Sequence, residues 1–254
     1  MSDFSGYSNI LPDPNNSIAS DGSADSANAG YAAGPGFASV SLKSTFPTQK
    51  TRTNSGSTIV RNIAGHKWDI SITYNPLTRS QFEPLYAFLL QRKGGLSHFF
   101  AELPQYKTAQ DSQWNTYLNS STVKTTGAVN AGLDNFLITN NTGTTLDSRD
   151  SSSHGTPSVG DIFSITDTND SNHTKVYMVT RVETRDHYLT GSQPAQAQIR
   201  VHFTPPLQRL ISAANTVEFK NVKFRVINIK PDISYNLDVN NLYKISLGLE
   251  EAQP

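Results

Sequence analysis

Between His66 and Tyr74 apolar and polar residues alternate without a break: Trp68, Ile70, Ile72 and Tyr74 against Lys67, Asp69, Ser71 and Thr73. Successive side chains of a strand point to opposite faces, so this run predicts a β-strand with one face on a core and the other in water. Any fold for this chain has to supply a sheet in which that strand is covered on one side.

The next block predicts a helix entry twice over. Thr78-x-x-Gln81 and Ser80-x-x-Glu83 both fit the capping box, in which a hydroxyl and an amide or carboxylate reciprocally satisfy the first backbone N–H groups. Pro84 favours the later start, because proline is tolerated best in the first turn. Phe82, Leu85, Tyr86, Leu89 and Leu90 then recur at three- and four-residue spacing, and Gly94-Gly95 offers a left-handed stop after Arg92 and Lys93. One short amphipathic helix is expected, the only substantial one. Phe99 and Phe100 resume an extended chain that ends at Pro104.

Strand signals recur around Val40 and Leu42, at Thr58–Val60, and again at Asp161–Ile165, Lys175–Val182, Ile199–Phe203, Val217–Ile229 and Leu242–Leu249. Between these clusters, from about Trp114 to Pro157, Ser, Thr, Asn and Gly dominate around the short apolar patch Phe136-Leu137-Ile138. The first 36 residues are Ser-, Asp-, Ala- and Gly-rich and cannot bury enough apolar surface to offset chain entropy. They read as an extended arm with Ile10, Leu11, Ile18 and Tyr31 as its few anchors, available to a neighbouring subunit. The expected architecture is mainly β. It comprises an arm over residues 1–36, a β-sandwich with the helix over 37–110, an inserted small β-barrel-like domain with Ser/Thr/Asn-rich loops over 111–210, and the returning strands of the sandwich over 211–254.

Composition narrows the function. The 254 residues include 21 Lys plus Arg against 21 Asp plus Glu, so no long-range field favours a nucleic-acid backbone or an anionic membrane. There is no cysteine, which removes disulfides, thiolate metal sites and cysteine nucleophiles. No apolar stretch approaches the ~18–20 residues of a membrane helix, and the start lacks a cationic segment followed by an apolar run, so synthesis in a cytoplasm is expected.

The residues that carry chemistry do not form a constellation. The six histidines, at 66, 98, 154, 173, 187 and 202, show no metal-ligand spacing and read as surface or turn residues. Asp167-Thr168-Asn169-Asp170-Ser171-Asn172 lacks the central glycine and closing glutamate of a calcium loop and reads as a turn. Gly30–Gly36 has no flanking strand and helix, and Ser151-Ser152-Ser153-His154 sits in a low-complexity loop instead of a nucleophile elbow. No catalytic residue, cofactor or metal is therefore expected. Trp68, Phe82, Tyr86, Phe88, Phe99, Phe100 and Tyr106 read mainly as core; a stacking platform for sugars is the alternative and would need several of these rings exposed on one face.

The stretch from Trp68 to Pro104 carries a strand ending in an aromatic, Pro-Leu-Thr-Arg, a helix with Phe and Leu, a glycine stop and a Phe-x-x-x-Leu-Pro exit. It resembles the belt domain of phage distal tail proteins and related minor tail proteins. Val159-Gly160-Asp161-Ile162-Phe163, Lys175-Val176-Tyr177-Met178-Val179 and Ile199–Gln208 resemble the β-domain inserted in that family, although Gln208 precedes Arg209 where the family has arginine directly. The resemblance implies a structural virion protein of the tail tip or baseplate, a hexameric ring joining the tail tube protein to the hub or receptor-binding apparatus, with no catalytic residues. It also implies Trp68, Ile70, Phe82, Leu85, Tyr86, Leu89, Gly94, Phe99, Phe100 and Pro104 as structural and assembly positions. The alternative is a carbohydrate-binding or host-attachment β module of a tail fibre.

Overall fold

A computed structural model describes residues 9–16, 34–62, 65–140 and 154–252. It is mainly β. The chain runs through β1 (Phe37–Thr45), β2 (Thr48–Arg52), β3 (Thr58–Asn62) and β4 (Lys67–Tyr74), helix α1 (Arg79–Gln91) and β5 (Phe99–Glu102). A single 3-10 turn at Pro104–Tyr106 leads to helix α2 (Ser112–Ser120), followed by β6 (Val123–Thr125), β7 (Asn135–Asn140), β8 (Ile162–Thr166), β9 (Val176–Glu183), β10 (Ile199–Thr204) and β11 (Thr216–Glu218). The last strands are β12 (Lys223–Asn228), β13 (Asn236–Leu237), β14 (Tyr243–Lys244) and β15 (Ser246–Glu251). These elements form two compact units: residues Met1–Ala101 with Arg225–Ala252, and Glu102–Phe224.

The first unit is built on a five-stranded sheet in the order β1-β4-β15-β12-β5. In β4 the alternation resolves as expected: Trp68, Ile70, Ile72 and Tyr74 are buried, while Lys67 and Ser71 are exposed. β15 lies beside it with Leu247 opposite Ile72 and Leu249 opposite Ile70, so the same face continues across the sheet. Helix α1 begins at the earlier of the two capping boxes. The Thr78 N–H and hydroxyl both donate to Gln81 Oε1, at 3.2 and 3.1 Å, and Pro84 is carried inside the helix. Its buried residues are Phe82, Leu85, Phe88 and Leu89, whereas Tyr86 is half-buried and Leu90 is exposed. Phe88 meets Phe99 of β5 edge-on at 5.6 Å, and Phe82 stacks on Tyr243 of β14 at 4.3 Å. The left-handed stop starts one residue before the glycines, with Lys93 at φ 51° and Gly94 at φ 65°. A Cβ on Gly94 would lie 2.9 Å from the Pro231 carbonyl oxygen, a second reason for glycine there.

Residues 9–16 depart from the free arm expected of them. Ile10 bridges Phe100 in parallel, the Leu11 N–H donates to the Phe100 carbonyl and the Phe100 N–H to the Asn9 carbonyl, both at 2.7 Å. Leu11 is 1% exposed, and the Tyr74 hydroxyl donates to the Pro12 carbonyl at 3.0 Å. This piece of chain completes the β5 edge of its own sheet, so Leu11 anchors within the subunit. Ile18 and Tyr31 lie outside the described residues.

The second unit is a closed six-stranded barrel, order β10-β7-β6-β11-β8-β9. Side chains fill the interior of a barrel this small. Phe163 stands among Phe136, Phe203, Tyr177 and Phe219, at ring-centroid distances of 5.7, 5.4, 5.5 and 5.4 Å. Two expectations are corrected here. The Ser/Asn-rich stretch contains α2, capped by Asp111, whose carboxylate accepts the Gln113 and Trp114 N–H groups at 2.8 and 3.3 Å; the described residues thus hold two α-helices. The single strand expected over Val217–Ile229 is two: β11 pairs with β6 and β8 in the barrel, and β12 pairs with β15 in the sheet. Asn221, left-handed at φ 49°, breaks the run between them.

Candidate functional site

A dense polar cluster lies on the outer face of β9 and β10. Ile199, Val201 and Phe203 point into the barrel core, which turns Arg200 and His202 outward. Arg200 sits opposite Glu183 and His202 opposite Arg181. Arg200 Nη1 lies 3.1 Å from Glu183 Oε2, and its Nη2 donates to the Ser192 carbonyl at 2.8 Å; Nη1 also donates to the Thr190 carbonyl. Glu183 accepts the Thr190 N–H at 3.3 Å. The ion pair therefore ties the long β9–β10 connection, residues 184–198, down over the strands. Burial alone pushes the Glu183 carboxyl up, but the bonds from Arg200, Thr190 and Leu189 outweigh it and hold it at about 2.

His202 Nε2 lies 3.2 Å from Glu183 Oε1 and 3.0 Å from Arg181 Nη2. A guanidinium only donates, so Nε2 is an acceptor here. Burial and Arg181 lower the His202 pKa against the opposing pull of Glu183. A ring nitrogen that accepts from arginine has its lone pair occupied. The cluster's chemistry is that of a clamp.

The Asp167–Asn172 loop is likewise committed to its own chain. Asp167 Oδ1 accepts the Asn169 N–H at 2.9 Å and the Ser212 hydroxyl at 3.3 Å, and Asp170 pairs with Arg209 at 2.9 Å. No group of three or more metal-capable side chains occurs among the described residues. Of the six histidines read as surface or turn residues, His66, His154, His173 and His202 are buried, His154 within a turn. His66 contacts the rings of Phe46 and Trp68 at 4.5 and 4.6 Å, and His173 Nε2 lies 3.1 Å from the Tyr177 hydroxyl. Only His202 carried a sequence signal, its alternation with Arg200 between the apolar residues of β10.

Of the assembly positions expected from sequence, the structure gathers Trp68, Ile70, Phe82, Leu85, Leu89, Phe99 and Leu11 into the core of the first unit. Tyr86, Phe100 and Ile10 are half-buried, Gly94 is a turn, and Pro104 opens the 3-10 turn of the other unit. With Trp68, Phe82, Phe88 and Phe99 buried, these rings do not make a stacking platform.

The strand expected at Thr58–Val60 is present as part of β3, but sequence reasoning missed its pairing with β2 in a hairpin exposed on both faces. All ten strand residues are exposed, including Ile59 at 55% and Val60 at 52%. Its register puts Lys50 across from Val60 and Arg52 across from Thr58 on one face, and Arg61 across from Gln49 on the other. Comparison with models of known protein families and with curated proteins gives no match.

Proposed function

We propose that this chain is a structural component of a phage tail tip or baseplate, a hexameric ring that joins the tail tube protein to the hub or receptor-binding apparatus in the virion tail. What supports the reading is the path of the chain. It leaves a sheet-and-helix unit after β5, builds a closed barrel, and returns through β12 and β15 to the same sheet, the organisation of a belt domain carrying an inserted β-domain. In this reading the five-stranded sheet is one layer of a belt β-sandwich. The role needs no catalytic residue and no cofactor.

The test is the assembled mass and shape. Sedimentation and negative-stain imaging of the purified chain should give a closed ring of six copies of 27.8 kDa. A 27.8 kDa species persisting at the highest attainable concentration, or binding to a glycan array without assembly, overturns it.

A further inference from the structure

The two oxygens of the Glu183 carboxylate are served unequally. Oε2 is engaged by Arg200 and by the Thr190 N–H. Oε1 is buried and receives no directed hydrogen bond, although Arg181 Nη2 lies 2.8 Å from it and His202 Nε2 lies 3.2 Å from it. The aim of the arginine explains this. Nη2 has two hydrogens, and both go elsewhere, one to the Thr190 hydroxyl and one to His202 Nε2 at 3.0 Å. Arg181 Nη2, Glu183 Oε1 and His202 Nε2 thus form a tight triangle in which the carboxylate oxygen is the corner that no hydrogen points at.

The groups around the His202 ring come from every neighbouring element. β9 brings Arg181 and Glu183. On the other side β7 sets Asn135 opposite His202, with the exposed Asp134 just before it. β10 itself carries Arg200 two residues earlier, already engaged with Glu183 Oε2. The β9–β10 connection contributes the Thr190 hydroxyl to the triangle and carries Arg185, Asp186 and His187, the last two exposed. Burial and Arg181 hold the ring below its ordinary 6.5, and the opposing pull of Glu183 and Asp134 is the weaker influence. Above that value the ring is therefore neutral and Nε2 is free to accept from Arg181.

A proton on Nε2 makes it a donor, and two cationic donors cannot face each other at the 3.0 Å that separates Nε2 from Arg181 Nη2. We propose that His202 is a proton-operated latch on the β9–β10 connection: protonated at Nε2, its ring supplies the hydrogen that Glu183 Oε1 lacks, and Arg181 leaves the cluster together with its hold on Thr190. The arginine has an exit, since 44% of its side chain is already exposed, whereas Arg200 is enclosed and keeps the Thr190 and Ser192 carbonyls. Release is partial for that reason. It loosens the half of the connection that displays Tyr188 and Leu189, at 42% and 85% exposure, and leaves the other half tied. Because the folded ring holds its proton less well than a free histidine, the latched form is complete above pH 6.5 and is lost as pH falls through the lower folded value. Glu183, which titrates at about 2, stays ionised throughout. The inference concerns the barrel alone and does not rest on the ring reading.

The experiment follows two signals in the full chain between about pH 7.5 and 5, the range in which histidine changes charge. Nitrogen NMR of the imidazoles should show His202 Nε2 without a proton at the upper end and gaining one below pH 6.5. Amide hydrogen exchange, corrected for its intrinsic pH dependence, should show residues 184–190 losing about three- to tenfold in protection across the same midpoint. In His202→Gln, whose amide does not titrate, that loss should disappear. Arg181→Ala changes an exposed side chain that the fold does not need, and it should raise the His202 midpoint by about half a unit or more, because the nearest opposing cation is gone. A proton on Nε2 at the upper end overturns the inference. So does protection of 184–190 that ignores pH in the parent, a loss that persists in His202→Gln, or a His202 midpoint unmoved by Arg181→Ala.

Discussion

Arg200 Nη1 stands 3.1 Å from Glu183 Oε2 on adjacent strands of the barrel, with 8% and 2% of the two side chains exposed. Taking two charges out of water costs several kcal/mol per ion, so such a pair is a weak source of net stability, but removing one partner leaves the other charge stranded. Here the guanidinium also holds the carbonyls of Thr190 and Ser192. The pair shapes the 184–198 connection.

Glu183→Gln should therefore cost about 3–5 kcal/mol, the range for breaking a buried ion pair from one side. The pH dependence follows from the same carboxyl. Its folded pKa of about 2 lies below the ordinary 4.5, so its contribution is complete above pH ~5 and is lost as pH falls toward 2, amounting to about 3 kcal/mol. Urea midpoints between pH 7 and the acid limit should show that slope in the parent and a shallower one in the variant; equal slopes would refute the assignment.

In helix α1, Leu85→Ala and Leu89→Ala should each destabilise by about 2–5 kcal/mol, since both sites are fully enclosed. Leu90→Ala, at an exposed position one residue on, should stay within about 0.5 kcal/mol of the parent. Chemical denaturation distinguishes them, and equal effects at Leu89 and Leu90 would mean the buried face is misplaced.

Leu11→Ala should also lower the stability of the isolated subunit, by about 2–5 kcal/mol, because Leu11 is enclosed in its own unit. A thermal midpoint unchanged in the monomer and lowered only in an assembly would instead make Leu11 an intersubunit anchor.

Asp111→Ala removes the acceptor for the Gln113 and Trp114 N–H groups and for the Thr156 N–H at 3.4 Å. A loss of about 1–2 kcal/mol is expected, the usual range for a helix cap. Asp111→Ser should recover part of it; no difference between Ala and Ser would show that the cap contributes nothing.

Local patterns were legible where one element's own residues decide its burial. Trp68 to Tyr74 announced its inner face, and Phe82, Leu85 and Leu89 announced the helix, although the choice of capping box went to Thr78 because Pro84 is accommodated inside the helix. Helix α2 was hidden by composition: five of the nine residues of Ser112–Ser120 are Ser, Thr or Asn, and Asp111 with Trp114 and Tyr117 at three-residue spacing is what betrays it. Leu11 was illegible for another reason. Its burial depends on the β5 edge some ninety residues further along, and no local period reports a partner that distant. Two of the buried histidines share that cause in part: His66 meets the ring of Phe46 and His154 that of Tyr117. The strand at Thr58–Val60 was legible, but its exposure was not, because Ile59 and Val60 look like core when read alone.

The place of β15 in the middle of the sheet, between β4 and β12, has a consequence for the order in which the molecule takes shape. While the ribosome is still making residues beyond Glu218, every strand of the barrel already exists, and that unit can close with no edge left open. β4 has to wait. Until Ser246–Glu251 emerges, its inner edge is an unpaired strand with Trp68, Ile70 and Ile72 beside it, and unpaired edges of this kind recruit other chains during synthesis. The last pairing this sheet can make is therefore that of β15 with β4, one of its latest strands with one of its earliest, across every strand of the intervening barrel.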